Sequence, residues 1–215
     1  MRSTAMPSFL FQGLDAIALI PRDGVTAHEA KFADYETRVA TAYQYARRLG
    51  LDDAPPLDIL DMGIGGGYFL YVCGKLGHRC VGLDRPSIPF WTELWKQLGV
   101  KVVEHTIRPN KKLPDLKQKF DLVTSFKCPF NYLRKQKRFW TLNEWGFFLD
   151  QIESKYLKPA GHLVLMIKDG RLKEPNQIDD PAFMALWQKR GGDLDRRWLY
   201  LRKPALEVAE KAVSF

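Results

Sequence analysis

The sequence has few cysteines and no long apolar run. Its three cysteines are an odd number without a paired spacing, which excludes a disulfide scaffold and a zinc ribbon and favours a reducing compartment. No apolar run approaches the roughly 20 residues needed to cross a bilayer, so we expect a cytoplasmic protein without a membrane partner. We also predict no metal site.

The N-terminal stretch from Phe9 to Ile20 is mildly hydrophobic, but Asp15 interrupts it and no pattern of small residues marks a cleavage site. We therefore expect a packed segment rather than a signal peptide. Hydrophobic residues make up 46% of the chain, and 13 Phe, 8 Tyr and 6 Trp are enough to fill a core. We predict a single domain over 1–215, in which residues 1–56 form a helical segment packed on the core.

The excess positive charge lies in one stretch of the chain. The net charge is +8, and residues 96–138 contain 12 Lys or Arg but only 3 Asp or Glu. Such a stretch favours an anionic partner such as a phosphate, a carboxylate or RNA. Charge alone does not distinguish a binding surface for an anion from an ordinary solvated surface.

Short apolar runs alternate with stretches of helical periodicity. Strands are predicted over 57–62, 79–84, 101–107, 120–126 and 162–168, with a turn at 158–161 and a terminal strand or hairpin arm at 194–203. Helices are predicted over 28–50, 68–76, 87–98, 181–190 and from a capping box at Thr141 and Glu144 to Tyr156. This alternation predicts an α/β fold, a Rossmann-like doubly wound, mostly parallel sheet with helices on both faces.

The first predicted strand runs into a glycine-rich turn, Asp61-x-Gly63-x-Gly65-x-Gly67. Glycine allows a sharp turn and a close approach of a ligand. The second strand ends at Asp84, whose carboxylate can accept both hydroxyls of a ribose. A dinucleotide-binding motif would need a further glycine where Tyr68 stands, and the Gly-Lys-Ser/Thr of a phosphate-binding P-loop is missing.

Four elements together resemble the class I S-adenosylmethionine-dependent methyltransferase family, in the family's order, over residues 57–168. They are the glycine-rich turn, Asp84 at the end of the second strand, the fourth strand beginning Phe120-Asp121-Leu122-Val123, and the sequence Leu157-Lys158-Pro159-Ala160-Gly161 before the fifth. The resemblance implies S-adenosyl-L-methionine as the cofactor.

The resemblance also implies roles for individual residues. The glycines would lie against the methionine part of the cofactor, Asp61 would position its amino group, and Asp84 would hold the ribose hydroxyls. The implied cofactor-binding set is Asp61, Gly63, Ile64, Gly65, Gly67, Asp84, Arg85, Thr106 and Ile107. A tight turn without a ligand is the alternative for the glycines, and a helix cap is the alternative for Asp84.

The chain departs from the family pattern in two places. No acidic residue follows Glu104 to contact the adenine, so Thr106 or Ile107 is expected to flank it. After the fourth strand the chain has Lys127-Cys128-Pro129-Phe130, without the leading amide or carboxylate of enzymes that methylate base amino groups, which disfavours that reaction. Cys128 is expected to be a buried, inert thiol rather than a nucleophile.

We expect methyl transfer to an O or N of a small acceptor, for which an anionic molecule is a candidate because of a basic loop at Arg134, Lys135, Lys137 and Arg138. The alternatives are an RNA methyltransferase and a non-catalytic, cofactor-binding scaffold of the same fold. No residue is identified as catalytic. The positions to test are Lys127, Asn131, Tyr132 and His105. The sequence does not indicate an oligomeric state.

Overall fold

The computed structural model describes residues 6–85, 89–167 and 177–201. Its main sheet has seven strands in the order β3-β2-β1-β4-β7-β9-β8. The strands are β1 (Asp58–Met62), β2 (Arg79–Asp84), β3 (Val102–Glu104), β4 (Phe120–Phe126), β7 (Leu157–Met166), β8 (Gly192–Asp195) and β9 (Trp198–Leu201). The first five in the order are parallel, and β9 is antiparallel to both of its neighbours. A short hairpin consists of β5 (Tyr132–Leu133) and β6 (Arg138–Phe139).

Helices cover both faces of this sheet. They are α1 (Ala27–Ala30), α2 (Tyr35–Arg48), α3 (Tyr68–Lys75), α4 (Pro89–Gln97), α5 (Leu142–Gln151) and α6 (Pro181–Lys189). Successive strand residues face opposite sides, so that Ile59 belongs to the core beneath α2, α3 and α4, whereas Leu60 belongs to the core beneath α5 and α6. The predicted α/β, doubly wound, mostly parallel fold is therefore confirmed.

Residues 8–19 pack on the core beside α2, α3 and α4. Two 3₁₀ turns, Ser8–Phe11 and Asp15–Leu19, bury Leu10 and Ile17, and the hydroxyl of Tyr71 donates to the carbonyl of Leu10 at 3.1 Å. The single helix predicted over 28–50 is wrong. It is interrupted at Asp34, whose carboxylate accepts the backbone N–H of Thr37 at 3.2 Å and so begins a new helix, α2.

Two further predictions are corrected at the sheet. The third strand pairs only over Val102–Glu104, because its partner β2 ends at Asp84. The predicted turn at 158–161 lies within the bounds of β7 but outside its ladder with β4: Phe120 pairs with Leu157 and Leu122 with His162, so these four residues bulge opposite a single residue of β4. This irregularity accommodates Pro159, which cannot donate to a regular ladder.

The remaining elements follow the sequence closely. The capping box of Thr141 and Glu144 begins α5, which continues into a π-helical turn at Ile152–Tyr156. The C-terminal strands form a hairpin. The predicted cap Ser87 and the predicted strand ends at 168 and 203 lie outside the described residues. None of the helices in the described ranges has both the length and the apolarity needed to cross a bilayer.

The strand order reverses between β1 and β4, which are adjacent in the sheet. The connection from β1 leads outward to β2 and β3, and the connection from β4 leads the other way to β7. The loops after β1 and β4 therefore separate at their shared edge. Ligands of doubly wound sheets bind in the crevice that such a reversal opens at the carboxyl ends of the strands.

Candidate cofactor site

The turn between β1 and α3 requires glycine for its backbone conformation. Gly63, Gly65 and Gly67 have φ angles of +73°, +53° and +81°, in the left-handed region that disfavours residues with a Cβ. Gly67 is also the N-cap of α3. The N–H of Gly63 donates to the carbonyl of Leu83 at 2.6 Å, which ties the turn to β2. We call residues 63–67 the glycine loop.

The three glycines differ in what a side chain would meet. A Cβ at Gly63 would lie 2.2 Å from the Sγ of Cys128, so the protein itself fills that space. A Cβ at Gly67 would lie 3.2 Å from the Trp95 ring. At Gly65 the nearest atom is a ring carbon of Phe32, at an ordinary contact distance of 3.5 Å. Gly65 is therefore the glycine of the three whose backbone is least covered by protein.

Asp84, at the end of β2, lies in contact with this loop. Its Oδ2 accepts the N–H of Gly65 at 2.9 Å, and its Oδ1 accepts the N–H of Arg85 at 2.7 Å. Burial raises the pKa of Asp84, and the two backbone hydrogen bonds oppose that rise. The residues that the sequence singled out at the ends of two strands thus form one constellation. The side chain of Arg85 is exposed beside it.

Asp61 lies behind the loop and is only 3% exposed. Its Oδ1 accepts a hydrogen bond from the hydroxyl of Thr124, on β4, at 2.7 Å. Burial raises the pKa of Asp61 to about 8, and the negative charge of Asp84 adds to the rise. At neutral pH this carboxyl is therefore mostly protonated, and a cation bound beside it would favour its ionised form.

The other implied cofactor residues differ in exposure. Thr106 is exposed and Ile107 is half-buried, both beyond the end of β3. The side chain of Ile64 packs inward, since a Cβ at Gly82 would lie 2.9 Å from its Cδ1.

His105 donates its backbone N–H to the carbonyl of Asp84 at 2.6 Å. Its Nε2 is buried without a partner among the described residues, and burial lowers its pKa.

The residues after β4 have separate roles. Lys127 has a φ of +54°, which is uncommon for a residue with a side chain and which it shares with Asn110, Lys117, Lys137 and Arg196. Its exposed ammonium lies 6.0 Å from the centre of the Tyr45 ring. Burial raises the pKa of the Cys128 thiol to about 12, which makes it a poor nucleophile. Asn131 is buried and donates to Gln177 at 2.9 Å, so it links two loops.

Arg134, Lys135 and Lys137 of the basic loop lie in the connection of the β5–β6 hairpin, and Arg138 is the first residue of β6. The hairpin places the ring of Tyr132 against that of Phe139. Arg138 does not face an open site: it donates two hydrogen bonds to Glu144, at 2.7 and 2.9 Å. These bonds and the capping box lower the pKa of Glu144 to about 2. The other cations of the loop, Arg134, Lys135 and Lys137, are exposed.

Sequence reasoning missed four residues around the glycine loop. Trp95 donates its Nε1–H to the carbonyl of Gly65 at 2.8 Å. The ring of Phe32 lies over Gly65 and Gly66, and its carbonyl accepts a hydrogen bond from the hydroxyl of Tyr68. Arg38, on α2, lies with its guanidinium 5.3 Å from the centre of the Phe32 ring. The alternation of strands and helices carries no signal for contacts between residues this far apart along the chain.

No protein-family model matches the chain, and a search of curated proteins finds no match. Solved structures with a similar fold include a ribosomal protein L11 methylase from Lactobacillus delbrueckii subsp. bulgaricus, at 16% identity and a TM-score of 0.46, over 79% of this chain and 77% of that one.

Two other solved structures are similar at the same TM-score. The first is an S-adenosylmethionine-bound amino pentose methyltransferase from Micromonospora echinaspora, at 23% identity and a TM-score of 0.46 over 64% of this chain, which spans 54% of that enzyme's length. The second is an O-methyltransferase family protein from Burkholderia thailandensis, at 14% identity and a TM-score of 0.46, over 89% of this chain and 64% of that one.

Proposed function

We propose that the protein transfers a methyl group from S-adenosylmethionine to an O or N of a small, anionic acceptor. The observation that carries the proposal is the hydrogen bond of 2.9 Å from the N–H of Gly65 to Asp84, which joins the glycine loop and an acidic strand end. It lies at the edge of the sheet where the strand order reverses. The residues there fit the cofactor, because Gly65 is the least crowded of the three left-handed glycines and because two backbone hydrogen bonds fix the orientation of the Asp84 carboxylate at the loop.

Each residue of the site would contact a different part of the cofactor. Asp84 would accept the ribose hydroxyls, with its orientation already set by the N–H groups of Gly65 and Arg85. The neutral, buried Asp61 would ionise beside the amino group. When bound, the cofactor supplies a methyl group made electrophilic by its sulfonium. The protein then has to align the acceptor and exclude water, and we assign no catalytic base.

Lys127 supports an anionic acceptor. It directly follows β4, at the same edge of the sheet as Asp84, and its ammonium is exposed. We expect Lys127→Gln to reduce kcat/KM for a carboxylate or phosphate acceptor and to leave a neutral acceptor unaffected.

RNA is the second candidate acceptor. Two exposed groups of cations support it, one after β3 and one in the hairpin after β4, and they are Arg108, Lys111, Lys112, Arg134, Lys135 and Lys137. Strands β3 and β4 are separated by two others in the sheet, so these two strands lie about 14 Å apart, given the ~4.8 Å strand spacing. A steep fall of RNA binding with salt would favour this candidate over a small acceptor.

Calorimetric titration with S-adenosylmethionine and S-adenosylhomocysteine tests the proposal. Asp84→Ala is expected to weaken binding at least about tenfold while the fold is retained, because hydrogen bonds to a charged group are lost. Asp115→Ala, at an exposed carboxylate remote from the site, is the matched control. Unchanged affinity in Asp84→Ala would remove this residue from the site. Binding without transfer to any acceptor would indicate a non-catalytic scaffold.

A further inference from the structure

Three aromatic rings meet at the carboxyl ends of β4 and β7. Tyr45, on α2, has its ring centre 4.9 Å from that of Phe126 and 5.3 Å from that of Trp198. Phe126 is the last residue of β4, and Trp198 pairs with Met166 at the end of β7. Trp198 is buried, whereas Tyr45 and Phe126 are only half-buried, so part of each of these two rings is accessible. We call Tyr45, Phe126 and Trp198 the aromatic cluster.

Lys127 supplies a cation at the edge of this cluster. Its exposed ammonium lies 6.0 Å from the centre of the Tyr45 ring, and the described part of the chain contains no ion pair of Lys127. Arg48 also contacts the cluster, with its guanidinium 4.7 Å from the centre of the Trp198 ring, but it is paired with Asp195 at 2.6 Å. Of these two cations, Lys127 is therefore the one available to an anionic ligand.

The aromatic cluster adjoins the glycine loop. Cys128, the residue after Lys127, fills the space that a Cβ of Gly63 would occupy. Phe69, the second residue of α3 after the loop, has its ring centre 4.8 Å from that of Phe126. A molecule bound at the cluster would therefore lie next to the loop that we propose for the methyl donor, and methyl transfer requires the two reactants to be adjacent.

We propose that the acceptor is an aromatic acid, whose ring packs against Tyr45 and Phe126 and whose carboxylate binds the ammonium of Lys127. This inference rests on the proposed function and narrows its anionic acceptor to one chemical class. A planar ring packs on aromatic side chains in offset or edge-to-face geometry. An ammonium is a compact charge on a flexible stem, so it can follow a carboxylate bonded directly to such a ring.

Three small probes separate the contribution of the ring from that of the charge. Benzoate has both, cyclohexanecarboxylate has the charge without an aromatic ring, and benzamide has the ring without the charge. Each is titrated by NMR into the protein saturated with S-adenosylhomocysteine, which leaves the acceptor position free. Benzoate is expected to bind the wild type at least about threefold more tightly than either of the other probes.

Two substitutions should each remove one part of this preference. Lys127→Gln is expected to weaken benzoate about fivefold and to change benzamide less than about twofold. Tyr45→Leu is expected to weaken benzoate and benzamide about fivefold and cyclohexanecarboxylate less than about twofold.

Two further variants serve as controls. Tyr45→Phe keeps the ring and loses a hydroxyl that donates to the sulfur of Met166 at 3.8 Å, a weak acceptor, so it should bind all three probes like the wild type. Lys75→Gln removes an exposed lysine whose ammonium lies 5.5 Å from the Tyr71 ring, in the same kind of contact, and should also change no affinity. Unchanged affinity for S-adenosylhomocysteine shows that each variant is folded.

The outcomes separate this proposal from the proposed function. If the protein binds S-adenosylhomocysteine but not benzoate, or binds benzoate no better than cyclohexanecarboxylate, the aromatic acid is wrong while cofactor binding stands. Wild-type affinity for benzoate in Lys127→Gln and Tyr45→Leu would also overturn it. Tighter binding of uridine 5′-monophosphate, which has a planar base and a phosphate, would favour RNA instead. If the wild type does not bind S-adenosylhomocysteine, the proposed function fails and this inference fails with it.

Discussion

Aspartates lie at both ends of the parallel strands, which we call the amino edge and the carboxyl edge of the sheet. Those at the amino edge are paired with cations, and those at the carboxyl edge are not. At the amino edge, Asp58 accepts from Arg79 and Lys158, each at 2.6 Å, and Lys158 also bonds to Asp121 at 2.8 Å. At the carboxyl edge, the described residues contain no ion pair to Asp61. Its hydrogen-bond partner is the hydroxyl of Thr124.

The pKa values follow this difference. Hydrogen bonds from Arg79 and Lys158 lower the pKa of Asp58 to about 2, whereas burial raises that of Asp61 to about 8. Asp84, also at the carboxyl edge, has a raised pKa too. Carboxylates that are paired with a cationic side chain stabilise a fold. Buried carboxyl groups without such a partner are typical of sites that bind a cationic ligand. We therefore propose that the amino edge stabilises the fold and that the carboxyl edge binds the ligand.

The largest expected effect is at the carboxyl edge. Gly65→Val places a branched side chain at a φ of +53°, against Phe32 and at the proposed cofactor surface, and is expected to abolish measurable cofactor binding. Titration calorimetry measures the loss. Gly74→Ala, in α3 with nothing within 4 Å, is the control and should bind normally. Wild-type affinity in Gly65→Val would show that the loop is not the cofactor cradle.

At the amino edge, a substitution is expected to lower stability and to leave cofactor binding unchanged. The pKa of Asp58 is lowered, so its ion pairs contribute stability above pH ~4, and this is lost as the pH falls through about 2. Asp58→Asn should reduce the free energy of unfolding by about 1–2 kcal/mol at pH 7 and leave cofactor affinity unchanged. Urea unfolding at pH 7 measures the loss. Asp115→Asn, in an exposed ion pair with Lys117, should have a smaller effect on the free energy of unfolding, because solvent screens exposed ion pairs.

The smallest effect is expected in the basic hairpin. Replacing Arg134, Lys135 and Lys137 with Gln should raise KM for an anionic acceptor a few-fold at low salt and less at high salt, because exposed charges are screened over about 8–10 Å. Cofactor affinity should not change. Arg138→Gln should instead lower stability, since it breaks two bonds to Glu144. Steady-state kinetics at two ionic strengths checks the triple variant, and a KM identical to wild type at both would show an ordinary solvated surface.

Local chemistry explains which features could be predicted from the sequence. The glycine loop could be predicted because its residues are close in sequence and glycine adopts the left-handed conformation of three of its five positions without steric cost. The capping box at Thr141 and Glu144 is local in the same way. Even the interruption at Asp34 had a local signal, since aspartate is a preferred N-cap, but the helical periodicity around it outweighed that signal.

The features that were missed depend on long-range packing. Phe32 reaches Gly65, and the hydroxyl of Tyr68 reaches the carbonyl of Phe32, only because the chain before α2 packs against the glycine loop. Arg138 was expected to face an acceptor, but the turn of the hairpin directs it to Glu144. The strand at 157–166 begins before the predicted residue 162, because the irregular register between Phe120 and Leu122 accommodates Pro159. None of these pairings has a periodicity that a single sequence displays.

Proton release on cofactor binding tests the contrast between the two edges most directly. With a pKa of about 8, Asp61 is mostly protonated at pH 7, and it should ionise when the cationic amino group of S-adenosylhomocysteine binds beside it. Calorimetry in two buffers of different ionisation enthalpy should therefore show release of nearly one proton at pH 7. Affinity should rise with pH up to about 8 and then level off, and Asp61→Asn should release none. Binding without proton release, and with an affinity independent of pH between 6 and 8, would contradict the account.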